Sequence, residues 1–253
     1  MKIYIFYTAI IIAALIASCK KDNTTKTTTN NNNNNNSTTN TVLAKDSIYN
    51  GTPSNTQVRL YEYDNSKRLV KIKYYSGTPS TYNSFDSIFF DVNGNVSKVI
   101  NFTAGVTPMP TDTAIYSYSS GALLSIVSST DSIYLFYASG KVSQYYHYYQ
   151  GGTHRDTIAS IVYTNNNASS VVVDRTPETI NTDLTAADPY FGVHFLIPNL
   201  SDLINPNNIT TVYPTATPGT KVIDQTYTYS NGKVSRIVDN KNILTKDITY
   251  KTL

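Results

Sequence analysis

One pattern, repeated six times along the chain, limits what this sequence can fold into more than any other feature. Its clearest copy is "YTYSNGKVSRI", residues 227–237, in which one residue separates two tyrosines and a turn sequence follows at Asn231-Gly232. Residues i and i+2 lie on one face of a strand, and Asn-Gly is a preferred pair for a two-residue hairpin turn. The pattern therefore predicts an antiparallel hairpin.

The other copies support the same interpretation. The six first strands align as Tyr61-Glu62-Tyr63, Ile88-Phe89-Phe90, Tyr116-Ser117-Tyr118, Tyr134-Leu135-Phe136, Ile161-Val162-Tyr163 and Tyr227-Thr228-Tyr229. A second marker, Asp followed by Ser or Thr and an apolar residue, begins at Asp46, Asp86, Asp112, Asp131 and Asp156. The chain is also rich in strand-forming residues, with 22 tyrosines. We expect an all-β fold, an antiparallel meander of hairpin repeats in a curved or barrel-like sheet.

The return strands raise a question about the two faces of this sheet. Apolar residues such as Val234 and Ile237 are three positions apart, so a regular strand would point them to opposite faces. Either a bulge follows the turn or both faces are covered, and we expect coverage of both faces. A two-residue turn in the last hairpin would pair Tyr229 with Val234 and Tyr227 with Arg236.

An insert at about 174–224 interrupts the repeats, and we expect it to be mixed and partly helical. Thr176-Pro177-Glu178 has the cap and the proline of a helix start. The segment 189–204 is strongly apolar, which favours burial against one end of the sheet over a lid above a ligand.

The N-terminus has the features of an export signal. Lys2 precedes an apolar run, and Ile16-Ala17-Ser18-Cys19 resembles the bacterial lipobox. The resemblance implies a signal peptide at 1–18, cleavage after Ser18 and lipidation of Cys19, which would make the membrane a partner through this anchor. We expect residues 19–41, which include an unbroken asparagine run, to be a disordered tether, and 42–253 to be a single β domain.

Charge and motifs exclude several classes of function. The net charge is +3 without a basic stripe, so we expect no nucleic-acid partner. His147, His154 and His194 are isolated in the sequence and are assigned structural roles. No nucleophile or phosphate-binding motif is present. We therefore expect no enzyme activity, no catalytic residues, no metal site and no cofactor.

One segment stands out as a binding candidate. In "QYYHYYQ", residues 144–150, strand alternation puts Tyr145 and Tyr149 on one face and Tyr146 and Tyr148 on the other. Exposed rings of this kind could stack on a sugar or another flat ligand. The alternative is that these rings only cover the sheet, as tyrosines do elsewhere in the chain.

Two family resemblances rest on these residues. Tyr61, Tyr63, Asp64, Arg68 and Leu69 match the tyrosine-aspartate repeat of large secreted shell proteins, although Lys67 stands where that repeat has glycine. Over nearly the whole chain, the lipobox, tether, tyrosine hairpins, "NPNNITTV" and "YTYSNGKVSRI" resemble Bacteroidota lipoproteins of unknown function with a porin-like β fold. This resemblance implies an antiparallel, barrel-like sheet and brings no substrate.

Two functions agree with these expectations. The first is a lipid-anchored binding or scaffold module of the cell envelope that recognises a glycan, peptide or protein. The second is a carrier that holds an amphiphile in a half-closed barrel. The expected location is the outer membrane, on either its periplasmic or its surface face.

Overall fold

The structure, a computed structural model, describes residues 41–50, 56–76, 82–149, 154–191, 193, 195, 203–241 and 244–253. Among these residues only 203–204 are helical, and sixteen strands account for most of the rest. In chain order the strands are β1 Thr41–Asn50, β2 Gln57–Tyr63, β3 Leu69–Ser76, β4 Ser84–Phe90, β5 Val96–Thr103, β6 Met109–Ser119, β7 Ala122–Val127, β8 Ser132–Ala138, β9 Lys141–Tyr149, β10 His154–Thr164, β11 Asn167–Val173, β12 Thr176–Ala187, β13 Asn207–Pro214, β14 Ile223–Ser230, β15 Lys233–Asp239 and β16 Leu244–Thr252.

The sheet closes on itself. Each strand pairs antiparallel with its neighbours in the sequence, and β1 also pairs with β16. This closing ladder runs from Thr41 opposite Thr252 to Asn50 opposite Leu244. Closure pairs the backbone groups that an open edge would leave exposed. The predicted all-β, antiparallel and barrel-like fold is confirmed.

The six predicted hairpins are β2–β3, β4–β5, β6–β7, β8–β9, β10–β11 and β14–β15, and each carries a bulge beside its turn. In the last hairpin Tyr229 pairs with Val234 as predicted, but the bulge moves Tyr227 opposite Ile237 instead of Arg236. Because the bulge adds one residue, Val234 and Ile237 both turn inward and are buried. Our expectation that both faces of the sheet are covered is therefore wrong, and the bulge explains the spacing.

The two faces of the barrel differ in chemistry. Inward side chains from nearly every strand form one apolar core, which includes Tyr61, Ile72, Ile126 and Ile237. Many outward positions that alternate with them are polar: Lys45, Ser47, Lys71, Lys73, Thr226, Thr228, Arg236 and Asp247. Some of the outward charges pair across strands, as Lys73 does with Glu62 at 2.5 Å. The barrel thus has an apolar interior and, over much of its surface, a polar exterior.

The insert differs from the prediction. Thr176-Pro177-Glu178 begins β12 rather than a helix, because the left-handed backbone of Asp174 and Arg175 (φ 45° and 73°) turns the chain straight back along β11. Strands β12 and β13 form a seventh hairpin. Among the described residues of the apolar segment between them, Tyr190, Phe195 and Ile204 are buried in the core.

Candidate functional site

Four aromatic side chains lie together on the outer face of β8 and β9. Tyr134 stands opposite Tyr146 across the two strands, and Phe136 packs edge-on against Tyr146 at 5.4 Å between ring centroids. Tyr134 and Tyr148 make a second edge-on contact at 6.0 Å. These are favourable geometries for aromatic pairs, so the rings hold one another in place.

Strand alternation explains why these rings face outward. On β8, Ile133 and Leu135 point into the core, and Phe136 between Leu135 and the turn is 48% exposed. On β9, Tyr145 points inward and is only 5% exposed. The outward rings are therefore not part of the core, because Ile133, Leu135 and Tyr145 fill the inward positions of these strands.

A loop rich in hydroxyl groups borders the rings. Loop side chains, Ser132 at the start of β8 and the four rings line a groove with a volume of about 670 Å³. We call it the outer groove, and its lining residues are Ser128, Ser129, Thr130, Ser132, Tyr134, Phe136, Tyr146 and Tyr148. The volume lies in the range of small-ligand sites, although the groove is largely open to solvent. The outer groove offers aromatic faces on one side and hydroxyl groups on the other. The Ser129 and Thr130 hydroxyls donate to Asp112 and Asp131, so toward a ligand they act as acceptors.

The hydroxyl loop is fixed by hydrogen bonds with two aspartates of the repeated Asp marker. Asp112 Oδ1 accepts hydrogen bonds from the Ser129 backbone N–H at 3.2 Å and from its hydroxyl at 2.8 Å. Asp131 N–H donates to Ser128 Oγ at 3.0 Å. Partial burial would raise the pKa of Asp112, but the hydrogen bonds from Ser129 outweigh it, so this pKa lies below its usual value. The ionised carboxylate therefore supports the loop geometry at neutral pH.

The candidates from the sequence separate into two groups. Tyr146 and Tyr148 line the outer groove, whereas Tyr145 and Tyr149 face the interior and take no part in it. Tyr145 belongs to the core. Cys19 lies outside the described residues, so its lipidation stays a prediction.

Sequence reasoning missed Tyr134, Phe136 and the hydroxyl loop as parts of this site. The alignment of the repeats treated Tyr134-Leu135-Phe136 as equivalent to Tyr116-Ser117-Tyr118. The structure shifts this repeat by one residue, since Tyr137 pairs with Val142 as Tyr118 pairs with Leu123. Counting back from the Ser-Gly turns, instead of matching aromatic pairs, would have assigned Tyr134 and Phe136 to the outer face.

One of the three histidines, His147, contacts a carboxylate. His147 Nε2 lies 2.7 Å from Asp131 Oδ1, a contact that the 16-residue separation in sequence concealed. Nothing is described of the His154 side chain, and His194 lies outside the described residues. In the part of the chain that the structure describes, no three His, Cys, Asp or Glu side chains converge as metal ligands.

A second polar cluster lies inside the barrel and holds the insert. Asp46 is fully buried, forms an ion pair with Arg59 and accepts hydrogen bonds from Tyr61 at 3.1 Å and Tyr190 at 2.6 Å. The Arg59 guanidinium lies 5.1 Å from the Tyr190 ring centroid and 5.0 Å from that of Phe195. Burial opposes the charge on Arg59, but the surrounding oxygens outweigh it and raise the pKa of the guanidinium.

This cluster connects the insert to the interior of the barrel. Tyr190 and Phe195 belong to the insert, and Tyr116 on β6 donates a hydrogen bond to the Phe195 carbonyl at 2.6 Å. At the other end of the insert, Asn205 Oδ1 accepts from the Ala168 N–H at 2.7 Å. The described residues Tyr190, Phe195 and Ile204 of the insert therefore pack into the barrel core.

Asp46 and Asp86, two aspartates of the repeated Asp marker, are buried and accept hydrogen bonds from side chains of neighbouring strands. Asp86 accepts from Tyr74 at 2.6 Å and from Asn101 at 2.7 Å. Asp112, in contrast, accepts from backbone donors, including the Thr113 N–H at 2.7 Å.

Comparison with known proteins supports the fold. No protein-family model and no curated protein matches the chain. A porin-like protein from Bacteroides uniformis ATCC 8492 is similar over 83% of this chain and 96% of that one, with a TM-score of 0.51 and 15% identity. No helix of the described residues is long and apolar enough to cross a membrane.

Two further similar structures have TM-scores too low to support an argument. A porin-like protein from Bacteroides vulgatus ATCC 8482 covers 84% of this chain and 100% of that one at 11% identity and a TM-score of 0.35. The Photorhabdus luminescens Tc holotoxin pore is similar over 78% of this chain and 10% of that one, at 14% identity and a TM-score of 0.34. The Bacteroides uniformis comparison shows the fold alone: this chain has a porin-like, all-β antiparallel barrel.

Proposed function

We propose that this protein is a lipid-anchored binding module of the bacterial cell envelope that takes a glycan in its outer groove. The observation that carries the proposal is the set of four outward rings beside a loop of serine and threonine hydroxyls. Sugar rings present apolar faces that pack on aromatic side chains and hydroxyl groups that need hydrogen-bond partners. The outer groove supplies both within one concave surface.

The polar exterior of the barrel supports a location outside the bilayer. A membrane-spanning barrel turns apolar residues to the lipid and polar ones to its interior. Here the core is inside, and strands such as β3 and β15 carry Lys71, Lys73 and Arg236 on the outside. A barrel of this kind would need a separate attachment to a membrane, and the predicted lipid on Cys19 is the attachment we propose.

The interior supports a binding module over the alternative carrier. An amphiphile carrier requires an apolar cavity beneath the insert, yet Tyr190, Phe195 and Ile204 are buried there in the common core. The outer groove, in contrast, is accessible without any rearrangement of the barrel. We therefore propose binding at the exterior and assign the insert a structural role.

A glycan array with wild-type protein and the double variant Tyr146→Ala/Tyr148→Ala tests this proposal. We expect the wild type to bind at least one glycan class and the variant to bind it about 10- to 100-fold more weakly, since two stacking contacts are lost. The matched control is Leu184→Ala, which removes a large apolar side chain, 53% exposed, on β12 away from the groove. This control should bind as the wild type does.

Two results would count against the proposal. One is a wild-type protein that binds no glycan on an array covering neutral and acidic classes. The other is equal affinity of the double variant and the wild type for the same glycan. Urea unfolding of all three proteins confirms that each is folded, because half-buried rings contribute to stability as well as to binding.

A further inference from the structure

A continuous row of outward residues crosses the outer groove at right angles to the strands. Consecutive members stand directly opposite one another in the ladders of β5 to β10. The row runs Lys98, Ile115, Val127, Ser132, Tyr148 and Arg155. Its centre, Ser132 and Tyr148, belongs to the outer groove, and its two ends are cations.

Both cations are held in place by aromatic rings. The Lys98 ammonium lies 4.8 Å from the centroid of Phe89, the next outward residue on β4. The Arg155 guanidinium lies 5.9 Å from the centroid of Tyr148. A cation held against a ring keeps a defined position and loses less side-chain entropy when it meets an anion.

The described acids near the row, Asp112, Asp131 and Asp174, already accept hydrogen bonds from the protein itself. Asp112 accepts hydrogen bonds from Ser129 and Thr113, and Asp131 lies against His147 and accepts from Thr130. None of these carboxylates belongs to the row. The surface between Lys98 and Arg155 therefore consists of apolar, hydroxyl and aromatic groups with a positive charge at each end.

We infer that the ligand of the outer groove is an acidic oligosaccharide that lies across the strands, with acidic groups at Arg155 and Lys98. This inference rests on the proposed glycan function and specifies its class. Five inter-strand steps of about 4.8 Å put the two cations roughly 24 Å apart along the sheet. An extended chain of several sugars covers this length, whereas a single sugar fills only the groove.

The row between the cations fits such a chain. Ile115 and Val127, 47% and 37% exposed, offer an apolar strip on which sugar faces can lie between Lys98 and the groove. Hydroxyl groups continue along the neighbouring row, where Ser117 stands opposite Ser125. Carboxylate or sulfate groups on the sugars would then meet Lys98 and Arg155, and the attraction should weaken with added salt because both cations are at the surface.

The test uses acidic oligosaccharides, each paired with a neutral counterpart of the same backbone: oligogalacturonates with their methyl esters, and sulfated oligosaccharides with their desulfated forms. Isothermal titration of the wild type should give a Kd at least about tenfold lower for one acidic series than for its neutral counterpart. That preference should shrink between low and high sodium chloride. In Lys98→Gln/Arg155→Gln it should disappear, so that the two members of the pair bind with the same affinity.

The matched control is Lys45→Gln/Arg236→Gln, which makes the same change in charge at outward positions of β1 and β15, away from the row. It should keep the preference for the acidic ligand. Equal affinity for both members of every pair, or a preference that survives in Lys98→Gln/Arg155→Gln, would overturn the inference and leave the glycan proposal standing. Binding to phosphatidylglycerol vesicles without binding to any oligosaccharide would overturn both.

Discussion

Tyrosine hydroxyls join neighbouring hairpins at the points where the backbone ladder is interrupted. Four described tyrosines each donate a hydrogen bond to the carbonyl of the residue just before a bulge: Tyr63 to Leu43, Tyr137 to Leu123, Tyr163 to Val142 and Tyr227 to Ile209, at 2.6–2.9 Å. A bulge leaves a backbone group without its regular partner, and the hydroxyl supplies one. This requirement gives a physical reason for tyrosine, rather than phenylalanine, beside the turns.

Tyr163→Phe tests this role of the hydroxyl. Burial raises the pKa of Tyr163 to about 12, and its hydroxyl donates to the Val142 carbonyl at 2.9 Å. Removing the hydroxyl should lower the free energy of unfolding by about 1 kcal/mol, because a carbonyl loses its partner while the ring stays packed. The control is Tyr75→Phe on the outward face, whose hydroxyl donates to no described residue. Urea unfolding that gives equal losses for the two variants would contradict the account.

The turn after Asp64 has Lys67 at the position where the tyrosine-aspartate repeat has glycine, and the structure shows how this affects the backbone. Lys67 has a left-handed backbone with φ of 63°, and the next repeat has Gly94 at φ 82° in the corresponding turn. Both turns close with the same bonds, since Lys67 N–H donates to the Asp64 carbonyl and Gly94 N–H to the Asp91 carbonyl. A side chain in this conformation costs about 1 kcal/mol, which glycine avoids.

Lys67→Gly should therefore leave the free energy of unfolding unchanged or raise it by up to about 1 kcal/mol, although the Lys67 Nζ contact with the Leu253 carbonyl is lost. Gly94→Ala should lower it by about 1 kcal/mol through backbone strain alone, since a new Cβ there would meet no atom within 4 Å. The midpoint of thermal unfolding should therefore fall for Gly94→Ala, and it should rise or stay unchanged for Lys67→Gly. A clear loss in Lys67→Gly would contradict this reading of the turn.

At the scale of elements, the bulge beside each turn fixes which residues face the core. Hairpin existence was predictable from aromatic residues and turn pairs, and all six predicted hairpins formed. Which residues of each strand point inward was harder to predict, because a shift of one residue exchanges the two faces of a strand. For this reason Tyr134 and Phe136 were aligned with core tyrosines although they form half of the outer rings. Tyr146 and Tyr148 were recognised because five consecutive aromatic residues must put some rings on each face.

The insert is the element whose structure the sequence described least well. A proline after threonine favours a helix start, but the turn at Asp174 and Arg175 depends on pairing with β11, which lies outside that local pattern. The buried contacts of the insert are long-range as well, such as Tyr190 to Asp46 across 144 residues. Local propensity therefore could not predict them.

Two substitutions test how the insert is held. Tyr190→Phe removes one of the hydrogen bonds to Asp46 and should lower the free energy of unfolding by about 1–2 kcal/mol. Asp46→Ala should lower it by about 3–5 kcal/mol, because it leaves the largely buried Arg59 without its carboxylate partner. The expected order, Asp46→Ala far more damaging than Tyr190→Phe, is read from urea unfolding. Equal small losses would mean that this cluster does not hold the insert.

The whole molecule is a porin-like barrel in which the polarity of a membrane pore is reversed over much of the surface. Apolar residues and the insert occupy the interior, and recognition is assigned to the exterior. The sequence indicated the barrel-like sheet because strand periodicity and hairpin turns are local properties. It could not decide between an external site and an internal one, since that choice depends on what the insert packs against.

A single tryptophan reporter tests this central claim, because the chain contains no tryptophan of its own. Tyr148→Trp puts an indole in the outer groove, Phe195→Trp puts one in the interior, and Leu184→Trp serves as an exposed control on β12. Titration with the oligosaccharide selected by the array should change the emission of Tyr148→Trp saturably, with no change in the other two. A saturable change in Phe195→Trp, with Tyr148→Trp unaffected, would contradict the account and favour a ligand inside the barrel.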